Sequence, residues 1–184
     1  MATELSTSAY VLMGMLSQSP MSGYDIKQFA DVSTRHFWAI SYGQIYPELR
    51  NLLDLALIEA RPAASGARQR TVYSLTPLGR EELIDWLSIT QVRPVEVRDE
   101  MLLRLFFADI LEAEKRVELL RAMVRRHLDT LQNLKDHEPF AAAGGPGLKL
   151  ETLRFGIDFH RFCADHFNRL IEAIEGGAAA KEEP

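Results

Sequence analysis

One cysteine, Cys163, is all the chain contains. That excludes an internal disulfide and fits a reducing cytoplasm. Long hydrophobic runs are missing too. The longest, over residues 101–110, is interrupted by Arg104 and Asp109, whereas a membrane span needs roughly 20 apolar residues. Met1-Ala2-Thr3-Glu4 has no basic region leading into an apolar stretch, so no secretory signal is expected. The sequence also lacks a phosphate-cradling glycine loop, a Gly-x-Ser-x-Gly and a strongly spaced acid pair. It therefore predicts no catalytic residue and no cofactor. Positive charge is in deficit, with 21 Lys and Arg against 26 Asp and Glu and a net charge of −5. That balance argues mildly against nucleic acid as a partner.

What the chain does contain suits one domain plus a helical extension, or two small domains. It has 184 residues, 47% hydrophobic and 26% charged, and no internal repeat. The charge is sorted along the chain. Residues 60–80 hold Arg61, Arg68, Arg70 and Arg80 and no acid, which implies one face suited to an anion and a remainder suited to protein or solvent.

Hydrophobic spacing and punctuation give an order of elements. Residues 7–17 read as a short buried helix capped by Ser6 or Thr7 and stopped by Pro20. Ser22 and Asp25 approximate a capping box opening a second helix, with Tyr24, Ile26 and Phe29 as candidates for its buried side. A third helix is expected over residues 41–55, with Ile45, Leu49, Leu52 and Leu53 inward and Tyr42, Gln44, Glu48 and Asn51 outward. Pro47 predicts an irregular first turn or a later start. Residues 57–63 and 71–75 read as strands around a polar, glycine-containing tip. Thr76-Pro77 then starts a fourth helix packed by Leu78, Leu83, Trp86 and Leu87.

Helix, helix, helix, strand, basic loop, strand is the order of a winged helix-turn-helix. A third helix of this size fits the major groove. Gln44 and Asn51 can make two-point contacts to a base, Tyr42 and Tyr46 can donate to phosphate, and Arg50 is placed for phosphate. Gly43 allows close backbone approach. Arg68 and Arg70 can lie along the neighbouring backbone or minor groove. Tyr24, Lys27 and Ser41 complete the candidate DNA-facing set. Other uses stay open: Tyr46 as core, the arginines as a solvated hairpin, Glu48 as a contact to cytosine or a solvent residue.

Several stretches resemble the PadR family of transcriptional regulators: Ser22-Gly23-Tyr24-Asp25-Ile26, Gly43-Gln44-Ile45-Tyr46-Pro47-Glu48-Leu49, Leu57-Ile58, Val72-Tyr73-Ser74-Leu75-Thr76-Pro77-Leu78-Gly79-Arg80 and Trp86-Leu87. Together they cover nearly all of residues 7–90. Arg98-Asp99-Glu100 and the following Leu102-Leu103-Arg104-Leu105-Phe106-Phe107 resemble the start of the helical C-terminal domain of the family's long form. The resemblance implies a homodimer with interlocking C-terminal helices and repression of an operator in double-stranded DNA. It also implies relief by a small molecule, a phenolic acid in some relatives, while other long-form relatives are virulence regulators. It assigns no effector residues here. The Ile45-Tyr46-Pro47 pattern also resembles the family and favours the irregular helix start.

The expected fold is thus mainly α: a winged helix-turn-helix head with a two-stranded wing over residues 1–90, a helical dimerisation domain over 95–176, and a disordered tail over 177–184. Beyond Pro94 the sequence predicts a helix near 97–108, a second one capped by Asp109 and running to 137, a loop over 139–148, and a last helix over 149–175. Val117, Leu120, Val124, His127, Leu131 and Leu134 form a coiled-coil-like seam. Phe155, Phe159, Phe162, Cys163, His166, Leu170 and Ile174 recur at helical spacing. A stripe this aromatic calls for cover. Val117, Leu120, Val124, Phe155, Phe159, Phe162, Cys163, His166 and Leu170 are the candidate dimer interface, with monomer core as the plainer alternative.

His160, Cys163 and His166 have residue types that bind zinc, but successive steps of three drift about 60° each around a helix. Packing is the favoured explanation, and no metal is expected. His127 is a candidate pH switch, with an ordinary interface histidine as the default. An effector pocket is expected at the junction after Pro94. The leading expectation is a cytoplasmic, dimeric repressor responding to a small-molecule effector, aromatic in class, with no membrane association. The alternatives are a winged-helix module that binds protein without touching DNA, and a helical small-molecule carrier.

Overall fold

The computed structural model describes the backbone of residues 5–63, 70–91, 96–143 and 145–182. These fall into two compact units, residues 1–94 and 95–184.

The first unit is built from α1 (Thr7–Leu16), α2 (Gly23–Val32), α3 (Tyr42–Asp54), the strands β1 (Ile58–Ala63) and β2 (Arg70–Leu75), and α4 (Pro77–Leu87). The first helix is capped by Ser6, whose hydroxyl accepts from Ala9 N at 3.1 Å. It is sunk in the core through Ala9, Leu12 and Met13, which meet Ile26, Ile45, Leu49 and Leu52. Complete burial of a Leu or Ile side chain is worth about 1.5–3 kcal/mol, so these residues hold the three helices together. Tyr10 stacks on Trp86 with ring centroids 4.6 Å apart, fastening α4 to α1. The strands pair antiparallel from Ile58↔Leu75 to Ala63↔Arg70. Pro62 is accommodated because a two-stranded sheet has only edges.

Several expectations need correction here. Tyr24 is exposed, since the second helix turns Ile26 and Ala30 inward instead. Leu78 and Leu87 are exposed as well, leaving Leu83 and Trp86 to seat α4. The third helix neither starts late nor waits for Pro47 to pass. It begins at Tyr42 and runs through the proline, which forgoes the bond to the Gly43 carbonyl.

The chain leaves α3 by a tight turn. Leu57 N bonds to Leu52 O and Ala56 N to Leu53 O, both at 2.9 Å, the paired closure of a Schellman motif. Ala56 takes the left-handed conformation at φ 54°. Thr76 then locks the turn to α4, its hydroxyl donating to Ala56 O at 2.9 Å and Leu57 O at 3.0 Å.

The second unit contains α5 (Glu100–Phe106), a 3-10 turn (Ala108–Ile110), α6 (Ala113–Ala143) and α7 (Leu148–Glu182). Asp99 caps α5, accepting from Met101 N at 2.8 Å. Asp109 lies inside the 3-10 turn and does not cap α6, which starts at Ala113. That helix continues through Pro139 to Ala143, so the expected loop is much shorter. The last helix continues past Gly176 and Gly177 to Glu182, where composition predicted a disordered tail. Val117, Leu120, Met123 and Val124 pack against Phe167 and Ile171, with Cys163 and Leu170 at the margin. The α6 seam is therefore core within one chain. Val117, Leu120 and Val124, expected at a dimer interface, are already buried, and Cys163 and Leu170 are half-buried beside them.

Candidate nucleic-acid interface

The N-terminus of α2 and the outer face of α3 bring together most of the candidate DNA-facing residues. Tyr24, Tyr42, Tyr46, Ser41, Gly43, Gln44 and Arg50 are exposed, and Asn51 and Lys27 are half-buried. Tyr46 is 51% exposed, so it belongs to the surface and not to the core. Its ring lies directly on Gly23, where an added Cβ would fall 2.8 Å from Tyr46 Cε1. A glycine at this place lets the tyrosine lie flat against the start of α2. Tyr42 stacks loosely on Tyr46, with centroids 6.3 Å apart. Lys27 pairs with Asp31 and sits 5.9 Å from the Tyr42 ring centroid, within the range of a cation–π contact.

The charged and amide groups are less free than their sequence positions imply. Gln44 folds back, its side-chain oxygen accepting from Ser41 N at 3.0 Å and Ser41 Oγ at 2.9 Å. A two-point contact to adenine requires Gln44 to release Ser41. Glu48 accepts from the Ser6 hydroxyl, which ties α3 to the start of α1 and draws this acid away from the tyrosines. Arg50, by contrast, makes no ion pair among the described residues and remains available to an anion.

On the wing, Arg61 pairs with Glu59 at 3.0 Å. Arg70 turns inward. Its Nη2 donates to Ser22 Oγ at 2.8 Å and pairs with the Asp25 carboxylate. Asp25 also accepts from Ser22 N and Ser22 Oγ, each at 3.0 Å. Partial burial opposes its ionisation, but the Ser22 bonds and the Arg70 guanidinium outweigh it and hold the carboxyl below its ordinary range. The Ser22–Asp25 capping box is visible in the sequence but its cation is not, because no local spacing links Asp25 to Arg70. Arg68 lies outside the described residues.

In the second unit Phe155, Phe159, Phe162 and His166 are all exposed on α7, and His166 stacks on Phe162 at 5.9 Å. The structure does not assemble His160, Cys163 and His166: His160 turns instead to His127, Nδ1 to Nδ1 at 2.8 Å. Among the described residues no group of three or more His, Cys, Asp or Glu could hold a metal ion. Burial, with the nearby Asp99 charge, pushes the Cys163 thiol up and keeps it protonated.

Three helices, a two-stranded wing and a following helical hairpin define a regulator of the winged helix-turn-helix class. Two family profiles match in tandem, "Transcriptional regulator PadR-like family" over residues 12–85 and "Virulence activator alpha C-term" over residues 97–175. The negative transcriptional regulator PadR of Bacillus subtilis (strain 168) is 32% identical over 168 residues, covering 90% of this chain and 87% of that relative. The crystal structure of Bacillus subtilis PadR in complex with operator DNA superposes with a TM-score of 0.85 at 25% identity, covering 94% of this chain and 99% of that one. For the complex with p-coumaric acid the TM-score is 0.76 at 26% identity, covering 91% and 94%. The chain belongs to the PadR-like family of transcriptional regulators. Among the described residues no helix is long and apolar enough to cross a membrane.

Proposed function

We propose that this regulator is a cytoplasmic homodimeric repressor that binds double-stranded operator DNA through α3 and the start of α2. The observation that carries the reading is the exposed cluster of Tyr24, Tyr42, Tyr46, Gly43 and Arg50 on one unit. Hydroxyls and a cation at a helix face are the groups that contact phosphate, and a glycine there lets the backbone close on the duplex. The PadR relative crystallised on its operator supports the same use. Residues 1–90 serve as the DNA-binding domain and residues 95–176 as the dimerisation domain. The exposed Phe155, Phe159, Phe162 and His166 are the part of the expected interface still open to a partner. A small aromatic acid is the proposed effector class, supported by the relative's complex with p-coumaric acid. Regulation by binding needs no chemistry at the protein, and no enzymatic role is proposed.

Selection of bound genomic fragments by the purified protein tests this and identifies the operator. Arg50→Ala should then weaken binding across sequences and reduce the magnitude of the slope of log affinity against log salt by about one. Recovery of no fragment above background would favour a protein-interaction module, the alternative supported by the net charge of −5.

A further inference from the structure

Two separate contacts tie the wing to the start of α2. One is backbone: Met21 N donates to Tyr73 O at 3.0 Å and Tyr73 N to Met21 O at 2.8 Å, so residue 21 acts as a one-residue third strand on β2. The other is the Arg70 side chain, three residues further out and at the end of the described ladder, opposite Ala63. It reaches Ser22 and Asp25 at the N-cap of α2. The same Asp25 closes the α2 capping box. One carboxylate therefore organises both the helix start and the wing.

We propose that the Ser22–Asp25–Arg70 clamp sets the stance of the wing, and that Arg70 acts on DNA binding through Asp25 and not by touching phosphate. The proposal rests on the DNA-binding reading. A phosphate approaching the Nη2 edge would meet the Asp25 carboxylate at the same place, and like charges repel. Handing the guanidinium to phosphate would leave Asp25 without its cation beside the helix cap. Arg70 is a positioning residue in this account.

The test compares wild type, Arg70→Ala, Asp25→Asn and the double variant. Asn keeps an acceptor for the Ser22 amide, so α2 stays capped while the ion pair is lost. The pair is about two-fifths exposed on each side, where such contacts are individually weak, so each single variant should lose about fivefold in affinity for the selected operator. The double variant should be no worse than either single one, and the salt slope should stay at its wild-type value in all three. Without DNA, amide exchange at Met21 and Tyr73 should quicken in each variant as the wing loosens. A direct phosphate contact predicts otherwise: Arg70→Ala flattens the slope by about one, while Asp25→Asn leaves affinity unchanged or raises it. Either that pattern or unchanged exchange at both amides would overturn the clamp. Failure of the wild type to bind any DNA would sink the DNA reading alone, and the exchange comparison would still decide the clamp.

Discussion

Ala56 is the one non-glycine residue with positive φ among the described residues, and it stands where a Schellman turn ordinarily carries glycine. Its Cβ crowds the backbone at a cost of about 1–2 kcal/mol. Ala56→Gly should therefore stabilise the head by roughly 0.5–1 kcal/mol, because glycine's larger entropy loss on folding takes back part of the relief. Both tryptophans, Trp38 and Trp86, lie in this unit, so denaturant unfolding followed by their fluorescence measures it, and an unchanged or lower midpoint would refute the expectation. Gly79 makes the opposite case. A Cβ there would fall 2.0 Å from Leu57 O, the carbonyl that also accepts from Thr76 N and Thr76 Oγ. Backbone cannot step aside like a flexible side chain, so Gly79→Ala should cost about 1–3 kcal/mol in the same assay. Neither site is legible from propensity: an alanine gives no sign of a left-handed turn, and Gly79 declares itself only as one letter of a family pattern.

At the scale of elements, the head was legible because its signals are local. Caps at Ser22 and Thr76, a proline at the first position of α4 and three-four spacing in α3 each act within a few residues. The C-terminal helices run longer than their sequence signals predict where single breakers compete with a long partner. Pro139 costs α6 one hydrogen bond, yet Glu138 pairs with Arg154 of α7 at 3.2 Å and the alanines after Phe140 favour helix. The same antiparallel pairing buries His127, which faces His160 on α7, with Phe159 and Phe167 on its flanks. Burial, reinforced by the neighbouring Arg126 charge, pushes His127 below its ordinary 6.5, and Asp99 opposes only in part. A folded-state value below the unfolded one means that the unfolded chain takes up the proton first. The neutral histidine's contribution is then complete above about pH 6.5 and is lost as pH falls through the lower folded value. Protonating both partners would also leave two N–H donors facing each other across 2.8 Å. Calorimetric unfolding should show the second unit losing stability between pH 7.5 and 5.5, with a smaller loss in His127→Gln. Equal losses in the two proteins would remove His127 as the cause.

At the scale of the whole molecule, the question is what covers the apolar surface that one chain leaves open. The sequence assigns one aromatic stripe on α7 to a partner, and the structure divides it. Cys163, Leu170 and Ile174 pack half-buried against the core that Val117, Leu120 and Val124 of α6 form with Phe167 and Ile171, two residues outside the stripe, whereas Phe155, Phe159 and Phe162 are 73%, 49% and 61% exposed. A second exposed face surrounds an open groove of about 520 Å³, lined by Leu103, Arg104, Phe107, Ile110, Leu111 and Leu119. Periodicity could not separate these fates, because residues three or four apart look alike whether they face the chain's own helix or a second copy. The division also settles how dimerisation should be tested. Removing residues 149–184 would strip α7 from its own core, so loss of the dimer would be inseparable from loss of the fold. Phe155→Glu with Phe162→Glu alters only exposed positions, and a charge is costly to bury unpaired at an interface. The double variant should keep its helical content and run as a monomer in light scattering at concentrations where the wild type is a dimer. Losing the second head removes the benefit of linked binding, so operator affinity should fall by about 100-fold or more. A variant that stays dimeric with two glutamates on α7 would exclude this stripe as the interface and leave the groove beside α5 as the surface to alter next.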